Sequence, residues 1–256
     1  MLKNGTYMPV NCNPAMKEII SVILPTYNEK GNIIRLIDEI IKAVRLVKKD
    51  YEIIVVDDDS PDNTGNYARE NYQNDANVKV IIRKNQRGLA SAIRAGIDMS
   101  KGEVIIVMDT DFNHDPKLIP QFVEFLGHYD LIIGSRFTMG GGMYSRFRYY
   151  CSFVYNFMIR IILHTQIQDN LSGFFSVKRE RLLKLDFDKI FWGYGDYFFR
   201  LLFYAKKLNF KILAVPVIYG KRDYGQSKTS FIAMLFKYSK ELVTLRLRHL
   251  GKEKND

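Results

Sequence analysis

The chain has 256 residues, of which 47% are hydrophobic and 26% charged, and carries a net charge of +10. That is enough apolar chain for one sizeable core, and no Ser/Gly/Pro-rich linker interrupts it, so one domain with appendages is expected. Cys12 and Cys151 lie far apart, form no metal-type spacing and fit reduced thiols in a cytosolic setting, while Met1 to Pro14 lack the basic region and apolar stretch of a secretory signal.

After an extension over residues 1–18, the apolar run Ile19 to Leu24 predicts a strand, and Asn32 to Val47, apolar at three- and four-residue intervals, a helix. The alternation continues with strands at Tyr51 to Val56, Val78 to Ile82, Glu103 to Met108 and Asp130 to Ile133, and helices at Asp62 to Tyr72, Leu89 to Met99 and Pro116 to Leu126. It implies right-handed crossovers and a doubly wound, mainly parallel α/β sheet with helices on both faces. Thr138 to Met143 contains three consecutive glycines and reads as a flexible hinge. It leads through Tyr144 to Tyr150, a mobile loop, into an aromatic helix reaching about Leu163, which suits either an interface or a plain core position. The last helix, Ser230 to Leu250, sets Phe231, Met234, Leu235, Tyr238, Leu242 and Leu245 on one side and Lys237, Lys240, Arg246 and Arg248 elsewhere, as in a helix that lies on a membrane or docks a partner. Phe153 to Leu163 and Phe231 to Leu245 are too short and too interrupted to span a bilayer.

Charge is concentrated at the carboxyl end. From Lys206 to Lys252 there are eleven Lys or Arg against Asp223 and Glu241, so almost all of the excess sits there and asks for an anionic partner, nucleic acid or an anionic membrane leaflet.

Met108-Asp109-Thr110-Asp111-Phe112-Asn113 follows the run Glu103 to Val107, so its carboxylates emerge at the carboxyl end of a buried strand, where open α/β sheets bind ligands. Two hard oxygen donors in alternating positions suit Mg²⁺ or Mn²⁺ completed by substrate phosphates, hence a metal-held diphosphate. Tyr27, after the first strand, and Asp58, after the second, are suited to stacking on a base and accepting its N–H groups. Arg87-Gly88 predicts a tight turn, with Arg87 a candidate pyrophosphate contact. His114 is expected to be solvated, Asp169 to cap a turn or act in catalysis, and Asp196 to be a helix N-terminal acid in a supporting role.

Together, Leu24-Pro25-Thr26-Tyr27-Asn28-Glu29, Val56-Asp57-Asp58-Asp59-Ser60-Pro61-Asp62, Arg87-Gly88-Leu89, Met108-Asp109-Thr110-Asp111, Gly134-Ser135-Arg136-Phe137, Ser172-Gly173-Phe174-Phe175 and Arg222 to Lys228 resemble the family-2 inverting glycosyltransferases, within them the dolichol- or polyprenyl-phosphate mannosyltransferase group. The resemblance implies a GT-A type catalytic domain over residues 19–228, with an acceptor loop and amphipathic helix at 137–163 and a basic helix at 229–256. It assigns Pro25, Tyr27, Glu29, Val56 and Asp58 to the nucleoside, Asp109, Thr110 and Asp111 to the metal and diphosphate, and Asn113 to the metal's surroundings. Arg222 and Lys228 match the loop over the donor phosphates, and Arg136, Arg148 and Ser152 the acceptor-phosphate pocket.

The activity so implied is metal-dependent transfer of a hexose, mannose from GDP-mannose, to dolichyl or polyprenyl phosphate with inversion. Asp109, Asp111, Arg136, Arg222 and Lys228 would carry it at the cytoplasmic face of a membrane, held there by interfacial binding or an anchoring subunit. The alternatives are a UDP-sugar donor, a saccharide acceptor, or a basic nucleotide- or nucleic-acid-binding regulatory protein. Basic and aromatic residues are not interleaved as in a recognised nucleic-acid module, so no nucleic-acid partner is expected.

Overall fold

The computed structural model describes residues 18–220 and 231–250, the latter with side chains over 236–248. In chain order the elements are β1 (Ile19–Thr26), α1 (Ile33–Leu46), β2 (Asp50–Asp57), α2 (Thr64–Asn71), β3 (Val78–Ile82), α3 (Leu89–Met99), β4 (Val104–Val107), α4 (Ile119–Phe125) and β5 (Leu131–Ser135). There follow β6 (Gly142–Met143), α5 (Arg146–Leu163), β7 (Phe175–Lys178), α6 (Arg179–Leu182), α7 (Phe187–Ile190), α8 (Tyr197–Lys207), β8 (Ile212–Pro216), β9 (Ile218–Tyr219) and α9 (Phe231–Leu250). The predicted strands and helices of the first half all form, with ends moved by a few residues.

Seven strands make one sheet in the order β3-β2-β1-β4-β7-β5-β8. All neighbours are parallel except β7, which runs antiparallel to both β4 and β5. The chain builds β2 and β3 on one side of β1 and then crosses to place β4 on the other, so the topological switch lies between β1 and β4. A crevice opens there at the carboxyl ends of the strands, where ligands of such sheets sit.

The inner strands β1, β2, β4 and β5 are buried on both faces, which is why they read as continuous apolar runs. On one face Leu36, Ile37, Ile40 and Val44 of α1 pack on Val22, Leu24 and Ile106. On the other, Ile93 and Ile97 of α3 and Phe198, Leu201 and Leu202 of α8 cover Ile23, Ile105 and Ile133. Each such side chain contributes roughly 1.5–3 kcal/mol by burial. A Cβ at Gly96 would stand 2.4 Å from Ile23, so α3 can lie this close only because that position has none.

Two readings of the second half are corrected, the hinge at the triple glycine and the loop up to Tyr150, since α5 already begins at Arg146. The triple glycine is a packed turn, not a mobile hinge: Gly141 N–H donates to Thr138 O at 2.7 Å, its Cβ would meet Ser135 O at 2.5 Å, and Gly142-Met143 pairs with β9. The aromatic helix α5 serves both as core and as surface. Tyr155, Ile159 and Leu163 pack with Phe199 and Phe203 of α8 and with Tyr238, Leu242 and Leu245 of α9. Phe147, Tyr150, Val154, Phe157 and Ile161 of the same helix face solvent.

Candidate active site

The edge that β1, β2 and β3 present is built by tight turns. Asp57 accepts from Ser60 N at 2.9 Å, and Asn28, Asp59 and Asn63 take left-handed backbone conformations that their short polar side chains tolerate. Asn28 N–H donates to Ser60 Oγ and Glu29 N–H to Thr64 Oγ1, which ties the loop after β1 to the loop after β2. Tyr27 and Glu29 are half-buried on this edge. Pro25 is buried beneath them, and the Val56 side chain lies in a core cluster with Ile54 and Ala92, so Val56 can meet a ligand only through its backbone.

Asp58 is tied to two partners within the protein. Its Oδ1 accepts from Arg83 Nε at 2.7 Å and its Oδ2 from Gly88 N–H at 2.7 Å, within a nearly buried ion pair. Both oxygens already serve to fix the Arg87-Gly88 turn. Arg87 itself lies over the ring of Tyr27, 3.9 Å from guanidinium carbon to ring centre, so the face suited to a base carries a cation here rather than facing a pyrophosphate. Arg83 was not singled out in the sequence; its signal is its place one residue beyond a strand, on the same edge as the acids.

The acidic motif leaves β4 as expected. The Asp109 side chain is 43% exposed, and Thr110 and Asp111 are nearly buried. Asp111 accepts from Asn113 at both oxygens, from its backbone N–H at 3.2 Å and from Nδ2 at 2.9 Å, so Asn113 orients this carboxylate. Between them Phe112 has φ +61°, a strained conformation for a bulky residue, held against Arg35 of α1, whose guanidinium is 4.2 Å from the ring centre. Burial first, and the Asp109 carboxylate after it, hold the Tyr197 phenol well above its ordinary pKa, which sets Asp109 toward the start of α8.

His114 is fully buried, contrary to expectation. Asp109 N–H donates to its Nδ1 at 2.8 Å, and its Nε2 lies 2.7 Å from Tyr219 Oη. The acidic motif folds back over the imidazole, and a spacing of five residues in a loop gives no periodic sign of it.

Arg136, just after β5, is also nearly buried. Its backbone N–H, Nε and Nη2 all donate to Asp169, at 3.0, 2.7 and 2.7 Å. Burial works against its charge, and the Asp169 carboxylate more than offsets that, holding the guanidinium charged. Asp169 is thus the counter-ion of Arg136. The adjacent Phe137 packs on Tyr149 and Phe153, bringing the first turns of α5 beside Arg136. Arg148 is exposed and Ser152 half-buried on those turns, four residues apart and so on one face. Arg222 and Lys228 lie outside the described residues.

Asp196 begins α8 but caps nothing with its side chain. It is fully buried, accepts from Tyr194 N–H and from Arg200 Nη1 at 2.6 Å, and Arg200 reaches Glu241 of α9 at 3.5 Å. Its role is to join α8 to α9.

Asp109 and Asp111 fit a hard divalent cation. Among the described residues no three His, Cys, Asp or Glu side chains are placed to hold a metal ion together. With Asp109 half-exposed and Asp111 nearly buried, the two carboxylates suit Mg²⁺ or Mn²⁺ completed by phosphate oxygens and water.

The switch-point crevice with an acidic loop at its mouth defines a GT-A type fold. Glucosyl-3-phosphoglycerate synthase from Mycobacterium tuberculosis has it too: the structure with Mn²⁺, UDP-glucose and phosphoglyceric acid superposes with a TM-score of 0.66 at 22% identity, covering 90% of this chain and 79% of that one. The chain belongs to glycosyl transferase family 2, whose sequence model matches residues 21–185. It is 36% identical over 215 residues to a dolichol-phosphate mannosyltransferase of Pyrococcus furiosus, a match covering 82% of this chain and 58% of that protein's length. It is 32% identical to an undecaprenyl-phosphate mannosyltransferase of Micrococcus luteus, covering 82% and 87%. The polyprenol monophosphomannose synthase of Mycolicibacterium smegmatis is also 32% identical, covering 87% and 84%. No helix among the described residues is long and apolar enough to cross a membrane.

Proposed function

We propose that this chain transfers a hexose, mannose from GDP-mannose, to a dolichyl or polyprenyl phosphate with inversion at the anomeric carbon. The observation that carries the reading is the juxtaposition of two units. The open Asp109/Asp111 loop lies at the sheet's switch point, and Arg136, held charged by Asp169, stands beside a helix whose aromatic face is exposed. The names of the relatives support the same donor sugar and lipid acceptor.

The nucleoside would rest against Tyr27, Glu29 and the Pro25, Val56 and Asp58 floor, displacing Arg87 from the ring. Asp109 and Asp111 would hold Mg²⁺ or Mn²⁺, which when bound supplies positive charge to the leaving diphosphate. The Mn²⁺ and Mg²⁺ complexes of the M. tuberculosis synthase support a divalent ion in this fold. Arg222 and Lys228 are proposed as further cations for the donor phosphates.

A lipid phosphate, with a second pKa near ~6, is a dianion at neutral pH and needs no general base. That agrees with Asp196 being buried against Arg200 instead of facing a substrate. Arg136, Arg148 and Ser152 are proposed to receive the acceptor phosphate. The exposed faces of α5 and α9 would rest on the membrane surface at its cytoplasmic side, with an anchoring subunit as an optional aid.

The test is incubation of the chain and Mn²⁺ or Mg²⁺ with vesicles holding a short polyprenyl phosphate, and with GDP-mannose or UDP-glucose separately. A mannolipid from GDP-mannose is expected. A glucolipid alone would transfer the reading to a UDP donor, and no glycolipid from either would end the lipid-acceptor proposal.

A further inference from the structure

His114 has no part in the transfer chemistry described so far, yet it is the hub of a buried chain of contacts between the two halves of the site. Because Asp109 N–H donates to Nδ1 at 2.8 Å, Nδ1 must offer a lone pair, and the ring proton sits on Nε2. Nε2–H then points at Tyr219 Oη, 2.7 Å away, and the Tyr219 hydroxyl donates onward to the carbonyl of Ser172 at 2.8 Å. Nε2 also lies 3.2 Å from the Ser172 carbonyl, and Ser172 Oγ lies 3.1 Å from Tyr219 Oη, so Ser172 and Tyr219 together hold that side of the ring. Rotation of the imidazole is also blocked, since it stacks on Phe174 at 4.8 Å, and Phe174 stacks on Phe122 of α4 at 4.5 Å. At the far end the Tyr219 ring faces the Arg136 guanidinium at 4.8 Å.

We propose that His114 is a positioning residue for the cation site. It fixes the peptide of Asp109, and with it the direction in which that carboxylate leaves β4, and through Tyr219 it sets that direction relative to Arg136. The proposal rests on the reading of Asp109 and Asp111 as cation ligands.

Two substitutions separate the two ends of the ring. In H114N the amide oxygen can occupy the place of Nδ1 and still accept from Asp109 N–H. In H114Q the amide reaches the place of Nε2 and leaves that N–H buried without an acceptor. The measurement is Mn²⁺ affinity in the presence of GDP, by titration calorimetry, with thermal unfolding of each variant alongside. H114Q is expected to bind Mn²⁺ about 10–100-fold more weakly than the parent, the usual effect of removing a group that orients a ligand, and H114N within about threefold of it. A purely structural histidine would lower the unfolding temperature of both variants without separating their affinities.

Parent-like Mn²⁺ affinity in folded H114Q overturns the role of His114 alone. A parent chain that binds no Mn²⁺ with GDP or UDP overturns the cation site and this proposal with it. Should H114Q not fold, Y219F removes the hydroxyl that anchors Nε2 and keeps the ring against Arg136. A severalfold loss of Mn²⁺ affinity is expected there, and an unchanged value overturns the proposal.

Discussion

The region up to β4 and the region from β5 onward treat their apolar surface in opposite ways. Among the described residues before β5, Leu46 and Met99 are the large apolar side chains that face solvent, whereas from β5 onward α5 alone exposes Phe147, Tyr150, Val154, Phe157 and Ile161. The first region hides its apolar surface between sheet and helices and leaves a polar, adjustable edge. Both bury ion pairs, Asp58 with Arg83 in the first and Arg136 with Asp169 and Arg200 with Asp196 in the second, but only the second shows a row of aromatics. One edge suits a nucleotide and the other an amphiphile, so the difference maps onto the two substrates of the proposed reaction.

The largest effect should come from the buried ions of the second region. D169A leaves the Arg136 cation buried without its carboxylate, and a loss of about 3–5 kcal/mol in unfolding free energy by denaturant titration is expected. A loss under about 1 kcal/mol would mean that this pair is no more than a surface ion pair.

Next is the exposed face of α5. F147D should weaken sedimentation with anionic vesicles by an amount corresponding to roughly 1.5–3 kcal/mol, while stability stays within about 0.5 kcal/mol because the ring is in water when the chain is free. L46D, in the first region, should leave vesicle binding unchanged. Equal effects from the two substitutions would erase the contrast between the regions.

The polar edge should respond more gently. Removing the cation that covers Tyr27, in R87A, frees a stacking face held by about 0.5–1 kcal/mol, so GMP should bind roughly two- to fivefold more tightly. Weaker binding in a fluorescence titration would instead make Arg87 a nucleotide ligand.

How much of this could be read from the residues follows the same division. The first four strands and three helices were legible because β1, β2 and β4 are buried on both faces, β3 is a short apolar run, and each helix is buried on one side, which writes a strong pattern into the chain. The acidic motif was legible because it directly follows such a strand. β7 was not, since Phe175-Ser176-Val177-Lys178 is a four-residue alternation, too short to mark a strand, inserted antiparallel into a parallel sheet. Burial of His114 and the pairing of Arg136 with Asp169 depend on segments 58 and 33 residues apart meeting in space, which no local pattern encodes. The partnership of Asp58 with Arg83 was not legible either, because the two are 25 residues apart and meet only through the pairing of β2 with β3.

The smallest effects separate the regions by pH. Glu52, in β2, has its carboxyl pKa lowered: burial acts upward but is outweighed by Lys79, Ser21 and the Lys101 N–H. Its stabilisation is present above the ordinary value of 4.5 and is lost as pH falls through the lower native value. Glu241, in α9, has its pKa raised, chiefly by burial, so its contribution is full below 4.5 and is lost as pH rises through the higher native value. E52Q should therefore be less stable than the parent at pH 6, with the gap closing below pH 4.5. E241Q should match the parent in acid and exceed it near neutrality. Unfolding temperatures that move the same way for both would contradict the opposed environments.

The claim on which the rest depends is that Asp109 and Asp111 hold a divalent cation for a sugar nucleotide at the switch point. Glycolipid formation from GDP-mannose after EDTA treatment, followed by return of Mn²⁺ or Mg²⁺, tests it in the parent and in D111A. The account predicts that activity disappears with EDTA, returns with either ion in the parent, and stays lower by about 10²–10³-fold in D111A. Full activity in EDTA, or in D111A, would contradict it.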